Sequence, residues 1–370
     1  MKSDKQKMSF YSLDKILSKK AQYNIVFGER SNGKTYAVLK HGLENFIKNG
    51  KQMAIIRRWK EDMRGKRGSS FFDGLVANNE ISKLTNGEWT NVYHYSGRWY
   101  LSKYDEELKK QVTDETPIAY GFALSDMEHD KSSSYPNITT IMFDEFLTRQ
   151  YYLNDEFVTF MNVISTIVRY RKDVTIFMLG NTVNKFCPYF KEFGLKHIDK
   201  MVQGHIDVYT YGNSDLKVAV EYADSPNKSK PSDLYFAFDN PKLNMITSGT
   251  WEIAIYPHLE CKYTPKDVLL NYFIQFNGET LQCEIVYVGA VIFTYIHRKT
   301  TPIKDEDTDI IYSLEYDARP NHFRRLMKPS SRLEKRIASF FVTEKVFYQD
   351  NEVGEIVRNY LMASEKDKIV

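Results

Sequence analysis

The sequence predicts an α/β domain on a mainly parallel sheet over residues 1–200, a linker or small lid region over 201–245, and a smaller C-terminal α+β domain over 246–370. Three observations predict it. A glycine-containing loop lies between a short apolar strand and a helix; a second apolar strand stops at two adjacent carboxylates; and beyond a polar stretch the residues alternate in hairpin-like runs.

Taken in order, Tyr23–Phe27 reads as a buried strand and Thr35–Lys48 as a helix that packs through Ala37, Val38, Leu39, Leu43 and Phe46. Gln52–Ile56 is a second strand, leading into a basic segment of Arg57, Arg58, Lys60, Arg64, Lys66 and Arg67. Such a run is either a solvated face or a phosphate contact. Trp89–Tyr104 resembles a β-hairpin turning at Ser96-Gly97, with aromatic residues that favour packing over base stacking. Ile138–Phe143 is an apolar strand ending at Asp144-Glu145, Asp155–Val168 an amphipathic helix, and Val174–Leu179 another buried strand, followed by Gly180-Asn181-Thr182. Asp224–Ser232 has linker composition. Past Ile246, strands are expected at Tyr272–Phe276, Cys283–Val288 and Val291–Ile296, with Asn277-Gly278 as a hairpin turn, then helices near Leu333–Phe340 and Glu352–Met362.

The loop Gly28-Glu29-Arg30-Ser31-Asn32-Gly33-Lys34-Thr35 has the G-x-x-x-x-G-K-[ST] spacing of a triphosphate cradle. Its glycines let the backbone curl and aim N–H groups at phosphate oxygens, Lys34 reaches the β- and γ-phosphates, and the Thr35 hydroxyl meets Mg²⁺. Asp144 is the second candidate Mg²⁺ ligand, and Glu145 the group that polarises the attacking water, the pairing of the additional-strand, catalytic-glutamate (ASCE) class of P-loop enzymes. Asn181, just beyond a neighbouring strand, either senses the γ-phosphate or caps a turn. The ligands implied are ATP and Mg²⁺.

A net charge of +3 does not by itself declare nucleic-acid binding. Cys187, Cys261 and Cys283 are far apart and read as reduced packing residues; the eight histidines form no metal-ligand spacing. No apolar run approaches a membrane span, so the expectation is a soluble intracellular protein without a membrane partner.

Four segments together resemble the DNA-packaging ATPases of small podoviruses of the phi-twenty-nine type: the Gly28–Thr35 loop, Arg57-Arg58-Trp59-Lys60, Lys131–Phe146 with its S-x-x-Y-P-N before the Asp-Glu strand, and Asn184–Phe190. The resemblance covers about the first 200 residues well and the rest in order and size. It implies an FtsK/HerA-like ATPase ring, usually a pentamer, docked on the portal of a prohead in the host cytoplasm and driving double-stranded DNA inward, in part of the family with a packaging RNA. It also implies that Arg169, in the run Ser165–Arg171, is an arginine finger acting in trans, with Arg171 as rival, and that Lys60 acts at the junction between subunits. The C-terminal domain would resemble a ribonuclease H-like nuclease that has lost its metal-binding carboxylates; Gln275 stands where the first strand would carry an acid. Two alternatives stay open: a large terminase with an active nuclease, for which Asp305, Glu306, Asp307 and Asp309 are the visible acidic cluster, and a nucleotide-regulated nucleic-acid-binding module. The basic stretch from Arg319 to Arg336 is either a phosphate contact or a solvated face.

Overall fold

The computed structural model describes residues 11–30, 32–129, 134–148, 150–181, 187–224 and 256–366. It divides into two compact units. The first takes most residues up to 224; the second takes 256–366 with 150–156 and 187–188.

The first unit is built on one nine-stranded sheet. Its strands are β1 (Tyr23–Gly28), β2 (Gln52–Arg57), β3 (Asn91–Tyr95), β4 (Arg98–Asp105), β5 (Lys110–Ala123), β6 (Ile138–Asp144), β7 (Thr175–Asn181), β8 (Ile206–Thr210) and β9 (Lys217–Ala223). They lie in the order β3-β4-β5-β2-β6-β7-β1-β9-β8. The run β5-β2-β6-β7-β1-β9 is parallel throughout, and antiparallel strands close both ends. Buried on both faces, the central strands are continuous apolar runs: Ile25, Val26, Phe27, Ile55, Ile56, Ile141, Met142, Phe143, Phe177 and Met178 are all fully buried. Each such side chain contributes about 1.5–3 kcal/mol relative to exposure.

The helix between β1 and β2 spans Lys34–Asn49, ended by Gly50 in the left-handed conformation, and the helix between β6 and β7 spans Glu156–Val168. The hairpin turns at Ser96-Gly97, both at positive φ as a type I′ turn requires. Its aromatic residues divide by strand face. Trp99 is fully buried and donates its indole N–H to the Gly68 carbonyl at 2.8 Å, whereas Tyr93 and Tyr95 are exposed and stack on each other.

The expectation of a linker or lid over 201–245 is corrected for its first half. Lys217–Ala223 is a strand paired along its length with β1, and β8 flanks it antiparallel. The edge strand β8 carries only half-buried and exposed residues, so its polarity reads as linker, and β9 is recognisable only once it is seen to extend the core. The remainder, including the linker-like 225–232, lies outside the described residues, as does the start of the second domain at Ile246.

The second unit has a six-stranded sheet in the order β14-β13-β10-β11-β12-β15. Its strands are β10 (Val268–Phe276), β11 (Glu279–Val288), β12 (Val291–Arg298), β13 (Ile310–Ser313), β14 (His322–Phe323) and β15 (Val346–Tyr348). Strands β10, β11 and β12 form an antiparallel meander, and β10 pairs parallel with β13, which pairs parallel with β14. Asn277 and Gly278 take φ of 50° and 70° at the expected turn. Helices Arg332–Val342, opened by a Ser331/Glu334 capping box, and Asn351–Lys366 complete the unit. Tyr272, Tyr312 and Tyr360 are fully buried in its core.

Candidate active site

In a parallel sheet the C-terminal strand ends open together on one edge, and there β1, β6 and β7 deliver Gly28, Asp144 and Asn181. Gly28 and Asn181 are register partners. A Cβ on Gly28 would stand 3.0 Å from the Ala223 carbonyl of β9, so the close approach of two backbones requires glycine. Gly33, at φ 92°, caps the following helix in the left-handed conformation and turns the loop into its N-terminus.

Lys34 is the centre of the loop. Its ammonium donates to the Glu29 carbonyl at 2.7 Å, to Asn32 Oδ1 at 3.1 Å and to Asn181 Oδ1 at 3.4 Å. Asn32 Oδ1 also accepts from the Lys34 backbone N–H, while Asn32 Nδ2 is buried with no partner among the described residues. That orphaned donor, the lysine and the helix N-terminus fit a phosphate chain. Arg30 is exposed beside them, and Ser31 lies outside the described residues.

Burial lowers the Lys34 pKa to about 8, against the opposing pull of Asp144 and Glu29. A bound triphosphate favours the ammonium, so binding draws a proton onto Lys34 above pH 8. Nucleotide affinity is therefore expected to fall as pH rises from 7.5 to 9.5, by at most about tenfold per pH unit. Calorimetric titration across that window checks it: a flat profile, or an equal slope in Lys34→Ala, overturns the assignment.

The Thr35 hydroxyl donates to Asp144 Oδ1 at 3.0 Å. One hydroxyl and one carboxylate side by side are hard oxygen donors that fit Mg²⁺ held mainly by substrate phosphates and water. Burial pushes the Asp144 carboxyl upward, and Arg57 is the largest force holding it down.

Glu145 breaks the strand at φ 60°, an uncommon conformation for a residue with a side chain and one that clusters at functional sites. The turn is held from behind. Arg58, itself buried, donates to the carbonyls of Glu145 and Phe146 at 3.2 and 2.7 Å. Arg57 spans both carboxylates, with Nη1 2.6 Å from Glu145 Oε2 and Nη2 3.5 Å from Asp144 Oδ2. Sequence reasoning placed these two arginines in a charge run facing solvent or phosphate; the structure turns both toward the Asp-Glu turn. The available signal was their position directly after a strand that neighbours β6.

The structure does not bring Lys60 or Arg169 to this pocket. Lys60 forms an ion pair with Asp126 at the ends of β2 and β5, three strands from β1. Arg169 is exposed, at φ 51°, at the end of the helix that returns the chain to the start of β7. Arg171, two residues on, donates to the carbonyls of Tyr135, Pro136, Ile138 and Ile167 at 2.6–3.3 Å. The first three of these carbonyls mark the N-terminal end of β6, about 20 Å along the strand from Asp144. Arg171 holds the helix end, which leaves Arg169 as the outward-facing arginine of the pair.

In the second unit, Gln275 pairs with Thr280 and Ser313, and no group of three or more metal-ligating residues occurs among the described residues. Glu306 and Asp307 of the acidic cluster instead pair with Arg319, which also binds Asp317 at 2.6 Å. Arg319 thus belongs to a local ion cluster. Cys187 and Cys283 are buried thiols as expected, but Cys261 is exposed. No described helix is long and apolar enough to cross a membrane.

The family described as Podovirus DNA encapsidation protein (Gp16) matches residues 5–361. The chain is 30% identical over 315 residues to the DNA packaging protein of Bacillus phage phi29, covering 84% of each, and 29% identical over 223 residues to that of Bacillus phage B103, covering 59% of this chain and 60% of the relative. It is also similar in fold to a chain in the bacteriophage Phi-29 viral genome packaging motor assembly, with a TM-score of 0.58 at 22% identity over 96% of this chain and 99% of that one.

Proposed function

The chain belongs to the Podovirus DNA encapsidation protein (Gp16) family, and we propose that it hydrolyses ATP to drive double-stranded DNA into a prohead. The observation that carries the reading is the convergence of Lys34, the Thr35–Asp144 pair and Glu145 on one edge of the parallel sheet. Lys34 and the loop amides bind the triphosphate, Thr35 and Asp144 hold Mg²⁺, which neutralises charge on the phosphates, and Glu145 takes the proton from the attacking water. Asn181, already in contact with Lys34, reports whether the γ-phosphate is present.

Beside Lys34 and Arg57, a further cation for the transition state is assigned to Arg169, supplied from a neighbouring copy in a homo-oligomeric ring, as a pentamer in the form the family resemblance implies. Its place at the edge opposite its own pocket supports action in trans. Lys60, also outside its own pocket, is assigned to a junction between copies; lying at the other edge from Arg169, it meets a different point of the neighbours. The ring docks on the portal in the host cytoplasm, with a packaging RNA as a further partner in part of the family.

The 3-2-1-4-5 order of β12-β11-β10-β13-β14, with the meander antiparallel and the last two strands parallel, supports a ribonuclease H-like reading of residues 256–366. Gln275 and Ser313 on its central strands support loss of nuclease chemistry, which needs carboxylates on metals. Full-length protein assayed with duplex DNA, Mg²⁺ and Mn²⁺ tests all of this: DNA-stimulated ATP hydrolysis without cleavage is expected. Metal-dependent nicking would promote the terminase alternative, and nucleotide binding without turnover the binding module.

A further inference from the structure

The hairpin turn Ser96-Gly97 folds over the end of β5, where Gly121 N–H donates to the Gly97 carbonyl at 2.7 Å. Beneath it lies a cavity of about 300 Å³ lined by Lys60, Arg64, Arg98, Tyr120, Asp126 and Tyr135 among others. It opens on the same sheet edge as the phosphate loop, because Ala123 is in register with Arg57 and Arg98 with Tyr120. Yet β5 stands four strands from β1, about 19 Å at ~4.8 Å per strand, so the chain's own triphosphate does not reach it.

The cavity is built rather than incidental. The Arg98 guanidinium lies over the Tyr120 ring at 5.7 Å, and Tyr120 and Phe122 both pack edge-on against Tyr135. Among the described residues the lining carries three cations, Lys60, Arg64 and Arg98, and one carboxylate, Asp126, which pairs with Lys60. An excess of positive charge in a concave pocket with aromatic walls selects a compact oxyanion able to take bidentate hydrogen bonds from an arginine.

We propose that this cavity is a second phosphate-binding site, gripped by Arg98 and Lys60, with Asp126 as the internal counter-ion that an arriving phosphate displaces. The phosphate belongs either to a nucleotide held by a neighbouring copy or to the DNA backbone. Displacement makes the site self-gating: Lys60 stays paired until a stronger anion takes Asp126's place.

The test uses full-length Lys34→Ala protein, whose own loop is disabled, titrated with pyrophosphate and followed by ³¹P NMR. Residual binding is expected, about tenfold weaker after adding Arg98→Gln or Lys60→Ala and tighter after adding Asp126→Asn. Arg98→Lys should retain part of it, which a purely structural arginine on Tyr120 would not. Two arms identify the source. If Arg98→Gln subunits regain ATPase activity when mixed with Glu145→Gln subunits, the phosphate is a neighbour's; if they instead lose duplex affinity with a salt slope shallower by about one, it is DNA. No residual pyrophosphate binding, binding indifferent to Arg98 and Lys60, or weaker binding on Asp126→Asn overturns the proposal.

Discussion

Glu145→Gln is expected to lower kcat by about 10²- to 10⁴-fold while leaving the nucleotide Kd within about twofold. The amide keeps the side chain's shape and still accepts the hydrogen bond from Arg57, so the turn at φ 60° and its support by Arg58 persist. What it loses is basicity: a neutral amide does not take a proton from water. Affinity is spared because the groups that would meet the phosphates and Mg²⁺, namely Lys34, Thr35 and Asp144, are untouched. Equilibrium nucleotide binding and single-turnover hydrolysis on the same preparation check it. An unchanged kcat would move catalysis away from Glu145.

Arg169→Ala should cost about 10³-fold in turnover in the assembled state and little in nucleotide affinity, since the residue follows the helix that returns the chain to the start of β7, away from its own pocket. Mixing Arg169→Ala subunits, which keep an intact pocket, with Glu145→Gln subunits, which keep an intact finger, creates some complete interfaces. Partial recovery is therefore expected. Arg171→Ala should behave differently, losing stability in thermal unfolding because four carbonyls lose their donor. No recovery with Arg169→Ala in rings shown to be mixed, alongside recovery with Arg171→Ala, would transfer the role.

Residues 28–35 and 138–145 were legible as a strand-loop-helix and an acidic strand end because each motif is contiguous: the strand, the glycine turn and the helix that define the loop are neighbours in the chain. The same locality made the Ser96-Gly97 and Asn277-Gly278 hairpins readable, since a two-residue turn carries its own backbone preference. The long strand β5 and the sheet membership of β9 were not readable. One is polar over much of its length, and the other is recognisable only by its pairing with β1, nearly two hundred residues away.

By itself, then, the amino-acid sequence determined the glycine loop between strand and helix, the acidic strand end and the α/β class, all properties of short-range pattern. Tertiary structure alone decided how the charged residues are used. Arg57 bridges two carboxylates, Arg58 props the turn behind them and Lys60 pairs with Asp126, although the three stood together in one basic segment, and Arg171, the rival finger, locks a helix end. The reason is physical: a cation's role is set by which distant oxygen lies within about 3 Å once the strands are ordered. Sequence order does not contain that distance; the order β5-β2-β6-β7-β1 does.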